Sequence, residues 1–186
     1  MGFPPLGWNR SERTHVVKAI ETTYRGIKFR SRTEARWAVF LDNLGLAFDY
    51  EPEGYELDAG WYLPDFYVPD LCMWIEVKPN ETDQSEVERF SELCRVSGKH
   101  GVIAYGPPSR SRENLLFFDS TGEQGGKYAI LEDRRDDGIF WLSRRDRSFA
   151  VGGYGLNTDH DRWPVTTPKM AKAHETANTE RFGVHE

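Results

Sequence analysis

Residues 63–79 read Leu-Pro-Asp-Phe-Tyr-Val-Pro-Asp-Leu-Cys-Met-Trp-Ile-Glu-Val-Lys-Pro, and the interpretation of this stretch decides the fold. Two carboxylates, Asp65 and Glu76, lie on either side of a short turn, and Lys78 follows the second with one residue between. Residues two apart on a β-strand project to the same face. Glu76 and Lys78 therefore point together from a strand over Met73–Val77. If Tyr67–Pro69 turns the chain back on itself, Asp65 converges with them. Two acids and a lysine among Phe66, Val68, Met73, Trp74, Ile75 and Val77 are costly to bury unless their charge is offset. A divalent cation and a phosphate group would offset it.

Composition sets the outer bounds. A chain of 186 residues, 38% hydrophobic and 13% aromatic, is long enough for one domain with a sizeable core plus an appendage. No apolar run reaches the ~20 residues of a membrane span, and the opening MGFPPLGWNRSER lacks the apolar centre of a signal peptide. Two cysteines, Cys72 and Cys94, are too few for a disulfide framework or a zinc site and read as buried small hydrophobes, which places the chain in a reducing cytoplasm. The five histidines show no ligand spacing. Net charge is −6, but it is unevenly distributed. Residues 10–36 hold eight bases and three acids, whereas residues 42–92 hold two bases and fourteen acids. Such polarity suits a protein that holds phosphates with one part and cations with another, and equally suits a merely polarised surface.

Upstream of the central stretch, Thr22–Tyr24 and Ile27–Phe29 have strand character around Gly26. Ser31-Arg32-Thr33-Glu34 has the pattern of a helix capping box, with Gly45 as the stop. Trp37, Phe40, Leu41 and Leu44 recur at helical spacing, and Glu34 falls within their apolar stripe. Glu34 is thus either a cap alone or a first-turn carboxylate aimed at a site. Phe48–Glu51, Tyr55–Leu57 and Trp61–Phe66 read as short strands of a meander. Downstream, Asp83–Ser97 is an amphipathic helix ended by Gly98, and Val102–Tyr105 is a buried strand. Strand–helix–strand order predicts a mixed sheet with helices packed on it. Tyr128–Leu131 and Ile139–Leu142 flank Asp136-Asp137-Gly138 and predict a hairpin. Arg134, Arg135, Arg144, Arg145 and Arg147 make a second basic patch there, fitting nucleic acid or a solvated face. Residues 150–167 read as a linker, and Lys169–Arg181 as a short docking helix or tail.

The chemistry open to these residues is specific. Magnesium takes near-octahedral oxygen ligands from one or two carboxylates, waters and phosphate. Asp65 and Glu76, with the Val77 carbonyl, would supply such a set, and Glu34 would hold an outer-shell water or a second ion. Lys78 would steer the attacking water, accept its proton if its own pKa is depressed, or stabilise charge in the transition state. The competing interpretation is a buried ion pair in which Lys78 merely neutralises Asp65 or Glu76.

Pro64-Asp65…Glu76-Val77-Lys78 resembles the PD-(D/E)xK signature of the restriction-endonuclease-like nucleases. The segment from Tyr24 through Pro79, with its SRTEARW helix and aromatic meander, resembles small nucleases of phages and mobile elements. The resemblance implies an α/β fold with a mixed central sheet flanked by helices, here extended by the C-terminal hairpin and a tail or short helix. Residues 15–149 would form this domain, after a flexible arm over 1–14 and before a linker and tail or docking helix over 150–186. It further implies metal-site carboxylates at Glu34, Asp65 and Glu76, a catalytic lysine at Lys78, and Mg²⁺ or Mn²⁺ as cofactor. Arg30, Arg32, Arg36 and Lys28 become candidate phosphate contacts, with a solvated helix face as the alternative. Gln84 is a weak candidate, since some relatives carry a glutamine on the next helix. The expected activity is hydrolysis of DNA phosphodiester bonds in phage or mobile-element DNA processing, in the cytoplasm of the host cell if phage-encoded. DNA is the expected partner, and cutting both strands favours a homodimer. The alternative is a nuclease fold used for DNA binding or partner assembly without catalysis. Loss of a site residue would mark that alternative, and none is missing.

Overall fold

The computed structural model describes residues 19–109, 115–124, 130–133, 140–143, 148–150 and 168–183. The expected arm over 1–14, the five arginines of the second basic patch and most of the expected linker lie outside the described residues. The architecture is mixed α/β, with a mixed five-stranded central sheet and three helices among the described residues.

In chain order, β1 (Thr22–Tyr24) and β2 (Ile27–Phe29) form a hairpin leading into α1 (Arg32–Asn43). Next come β3 (Asp49–Tyr50), the small hairpin β4 (Tyr55–Leu57) and β5 (Gly60–Tyr62), β6 (Phe66–Val68) and β7 (Met73–Lys78). Helix α2 (Gln84–Ser97) leads to β8 (His100–Tyr105) and β9 (Leu115–Phe118). Strands β10 (Ile130–Asp133), β11 (Phe140–Ser143) and β12 (Ser148–Ala150) form a separate antiparallel sheet, one strand more than the expected hairpin. Helix α3 spans Pro168–Thr179.

The central sheet has the order β3-β6-β7-β8-β9. Only β7 and β8 are parallel, because α2 intervenes as a crossover; the other pairs are antiparallel. The predicted strand Trp61–Phe66 is in fact two pieces, β5 and β6, separated at Leu63-Pro64-Asp65. Proline breaks it, since Pro64 has no N–H to give a ladder. The turn back into β7 falls at Pro69-Asp70, the turn dipeptide ahead of Met73, and not over Tyr67–Pro69. Tyr67 and Val68 remain in β6, and a 3₁₀ turn over Pro69–Leu71 reverses the chain through Cys72 at φ 49°. Cys72 is accordingly exposed, correcting the expectation of a buried thiol, whereas Cys94 is buried as expected.

Two cores flank the sheet. On one side, Phe66, Val68, Met73, Ile75, Val77, Val102 and Phe117 pack with Trp37, Phe40 and Leu41 of α1. Helix α3 adds Met170, Ala173 and Ala177 to this core, so the segment after residue 167 is a docked helix. On the other side, Trp74, Ile103, Leu116 and Phe118 pack with Val87, Phe90, Leu93 and Cys94 of α2 and with Leu57 and Tyr62 of the small hairpin. Gly101 lets β8 pass close beneath α2, since a Cβ there would lie 2.4 Å from the Cys94 sulfur and 2.6 Å from the Phe90 ring. Helix α1 is capped where the sequence predicts, and α2 starts and stops where expected, with Asp83, expected only as its first residue, serving as the cap. The Ser31 hydroxyl accepts the Glu34 amide at 3.1 Å, and an Asp83 carboxylate oxygen accepts the Glu86 amide at 3.0 Å. Gly98 ends α2 in the left-handed conformation. Among the described residues no helix is long and apolar enough to cross a membrane.

Candidate active site

The register of β6 on β7 places the two acids together. Phe66 pairs with Ile75 and Val68 with Met73 in the antiparallel ladder. One step further along the same register sets Asp65 opposite Glu76, and cross-strand partners share a face. Ahead of β6 the ladder is completed by a side chain. Asp65 Oδ2 accepts the Val77 amide at 2.8 Å, and Glu76 Oε2 lies 3.4 Å from the Asp65 amide nitrogen. Asp65 is 3% exposed and Glu76 6%, so both carboxylates are held inside the protein by backbone geometry.

Their electrostatics follow from that burial. Loss of solvent pushes the Asp65 carboxyl well above the usual carboxylate range, and the charges of Glu76 and Glu34 push it further. The Val77 amide and the Arg30 guanidinium pull it part of the way back. Burial also raises Glu76, against the opposing pull of Lys78, the Asp65 amide and the Tyr62 hydroxyl. Each acid has one cation against it, and each cation is shared with a further acid, Arg30 with Glu51 and Lys78 with Glu86. Arg30 Nη2 contacts Asp65 Oδ1 at 2.8 Å, and Lys78 Nζ lies 3.2 Å from Glu76 Oε1.

Lys78 Nζ is also 3.3 Å from Glu86 Oε1, on the first turn of α2. Burial lowers the lysine pKa, but Glu76 and Glu86 outweigh it and hold the ammonium above its ordinary value. The depressed pKa that proton acceptance would require is not found with these neighbours, and the ammonium lies against both carboxylates, a placement that suits water orientation and charge stabilisation.

Glu34 faces inward, 7% exposed, as its place in the apolar stripe predicts. Both its oxygens are occupied by protein. Oε1 accepts the Ser31 hydroxyl at 2.6 Å, while Oε2 accepts the Tyr50 hydroxyl at 2.6 Å and the Arg30 amide at 3.1 Å. In this arrangement Glu34 braces the Ser31 cap of α1 and acts on the acid pair through its charge.

The candidate phosphate contacts diverge. Arg30 joins the site through Asp65 and also pairs with Glu51. Arg32 is exposed on the first turn of α1. Arg36 turns away, donating to the Ala177 carbonyl at 2.6 Å and lying over the Phe182 ring, and so ties α1 to the C-terminal segment. Lys28 forms an exposed pair with Glu21. Gln84 is exposed at the start of α2 and donates to Glu88 at 3.1 Å.

Two tyrosines escape the sequence reading. Tyr50 fixes Glu34, and Tyr62, buried beneath the Arg89 guanidinium, faces the Glu76 and Asp65 charges. Burial first, and then the two carboxylate charges, push the Tyr62 hydroxyl far above its ordinary pKa, so it remains a donor. Nothing in their spacing marks either residue, and an aromatic meander offers several equivalent tyrosines. Tyr62 has one faint signal, since it precedes the Pro64 break by two residues.

Among the described residues no group of three or more His, Cys, Asp and Glu side chains is gathered as a metal cage. The donor set is two buried carboxylates that repel each other, beside a backbone segment at Val77. That set fits an ion which takes one or two carboxylates and completes its shell with water and phosphate. Comparison with known proteins finds no matching family model, no matching curated protein and no matching solved structure.

Proposed function

We propose that the chain is a metal-dependent nuclease of restriction-endonuclease-like fold that hydrolyses phosphodiester bonds in DNA. The observation that carries this reading is the Asp65–Glu76 pair, buried across two antiparallel strands with Lys78 3.2 Å from Glu76. Asp65, Glu76 and the Val77 carbonyl would hold Mg²⁺ or Mn²⁺, which supplies an activated water and polarises the phosphoryl oxygen when bound. The protein's own residues do the rest. Lys78, positively charged and 3.2 Å from Glu76, orients the nucleophile and stabilises charge developing on the phosphate. Tyr62 closes the buried side of the Glu76 carboxylate, and Glu34 with Tyr50 fixes the start of α1 beside Arg30. Arg30 and Arg32 offer cationic contacts to the backbone. A DNA substrate in the cytoplasm of a phage-infected or element-bearing cell suits this chemistry.

The contacts from Arg30 and Lys78 favour a second reading, in which the cluster is a structural ion-pair network in a protein that binds DNA or a partner without cutting. Incubation of purified protein with plasmid and branched DNA, with and without Mg²⁺, decides between them. The nuclease reading requires Mg²⁺-dependent cleavage that Lys78→Ala removes. Equal behaviour of wild type and Lys78→Ala would leave the ion-pair network.

A further inference from the structure

Trp61 is 62% exposed, one of three large hydrophobic side chains with this character among the described residues. A single exposed apolar residue is ordinary. Trp61 differs because the structure around it is shaped to hold it. A Cβ placed on Gly54 would fall 2.0 Å from Cζ2 and 2.4 Å from Cε2 of the indole, so the ring occupies the space that any side chain at 54 would need. Gly54 has no positive φ, and what it provides is room. The Trp61 backbone is anchored too, its carbonyl accepting Arg89 Nη2 at 2.9 Å. Alternation along β5 then does two things at once. Tyr62 points inward to Glu76, while its neighbour Trp61 presents an indole to solvent. Consecutive residues are only ~3.8 Å apart along the chain, so the ring sits at a fixed span from the acid pair.

We infer that Trp61 is a stacking platform for an unpaired nucleobase, and that the substrate class is nucleic acid with unpaired nucleotides beside the bond to be cut. The inference rests on the hydrolytic reading of Asp65 and Glu76 and narrows its substrate. The charges on the face that carries the indole select a base over a phosphate, while the Arg89 guanidinium is engaged by the Trp61 carbonyl and the Tyr62 ring. Glu56 is the cross-strand partner of Trp61 and shares its face, and Glu53 is exposed just before Gly54. These acids repel the backbone but not the uncharged face of a base. A base inside a duplex has both faces covered by its neighbours, so only an unpaired one can lie on the indole. Single strands, flaps and junctions meet that requirement, and a long blunt duplex offers only the outer faces of its two terminal pairs.

The test uses the full chain and three labelled probes: an oligo(dT) strand, a flapped duplex and a blunt duplex. Binding is read by anisotropy in EDTA and cleavage in Mg²⁺. Trp61→Ala is expected to weaken binding and cleavage of the two unpaired probes by about tenfold and to leave the blunt duplex unchanged. Trp61→Tyr restores most of the loss. Gly54→Ala reproduces the defect with the indole intact, provided melting shows the fold retained. The salt dependence of binding stays the same in Trp61→Ala, because no phosphate contact is removed. Equal losses on all three probes, or none, overturn the inference. If wild type cleaves DNA and Trp61→Ala makes no difference, the stacking platform falls and the nuclease stands. If wild type cuts nothing yet holds oligo(dT) in a Trp61-dependent way, the platform stands and the nuclease falls. If it neither binds nor cuts, both fall.

Discussion

Strand β7 presents two unlike faces. Met73, Ile75 and Val77 enter the core under α1 and α3, an uninterrupted apolar row. Trp74 begins the other row in the core under α2, but Glu76 and Lys78 continue it with charge. Packing carries the first face for its whole length. On the second it stops at Trp74, and hydrogen bonds and ion pairs take over. The strand is thus a rigid support on one side and a set of positioned groups on the other, separated by one residue of alternation.

Substitutions on the two faces should separate stability from activity. Asp65→Asn is expected to have the largest effect, lowering cleavage more than a hundredfold, since it forfeits several kcal/mol of metal-dependent transition-state stabilisation. The fold should be unharmed, because an Asn oxygen still accepts the Val77 amide and a repelling charge is gone. Ile75→Ala should do the reverse. It should lower unfolding free energy in urea by about 2–5 kcal/mol while the folded fraction keeps its Mg²⁺ affinity. If Asp65→Asn unfolds the protein, or Ile75→Ala abolishes Mg²⁺ binding, the division of labour is wrong.

A third expectation concerns pH. Asp65 and Glu76 are both raised above their unfolded values, so the folded state retains protons that the unfolded chain has released. Stability from this source is fully present below the unfolded carboxyl pKa of about 4 and is lost as pH rises through the raised folded values. Melting in EDTA should therefore show wild type losing stability across that window relative to Asp65→Asn. Mg²⁺ at a hundredfold excess over Kd should return about 2.7 kcal/mol. A wild-type pH profile parallel to that of Asp65→Asn would contradict the repulsion argument. The smallest effect belongs to Ser31→Ala, which should cost about 1 kcal/mol as a lost cap. Calorimetry should find its Mg²⁺ affinity nearly unchanged, because Glu34 acts by charge and not by contact.

How much of this was legible in the sequence depends on the range of the interaction. Helix α1 follows from Ser31 and Glu34 three residues apart, and α2 from Asp83 and Gly98, all local signals. Asp65 and Glu76 could be placed together because one turn joins their strands. Long-range partners were hidden. Arg30 lies 35 residues from Asp65 in the chain, and Arg36 meets Ala177 across 141 residues. No periodicity encodes such pairings, so the basic residues looked alike although they do different things. Glu86 lies only eight residues from Lys78, but which face of α2 meets β7 is set by the packing of the helix and not by its own periodicity. Cys72 was misplaced because its left-handed turn conformation is not written in its residue type.

The closeness of the acid pair along the chain also bears on how the protein folds. Asp65 and Glu76 are joined by the hairpin of β6 and β7, whereas β8 must reach β7 through a whole helix. Local pairings form early and crossovers late. The repulsion between the acids is then present in the rate-limiting ensemble, before α2 closes over it. Acidification toward pH 4, or Mg²⁺, should accordingly speed refolding more than it slows unfolding. Stopped-flow chevrons would show this as movement of the folding limb, and movement of the unfolding limb alone would place the pairing of the acids after the barrier.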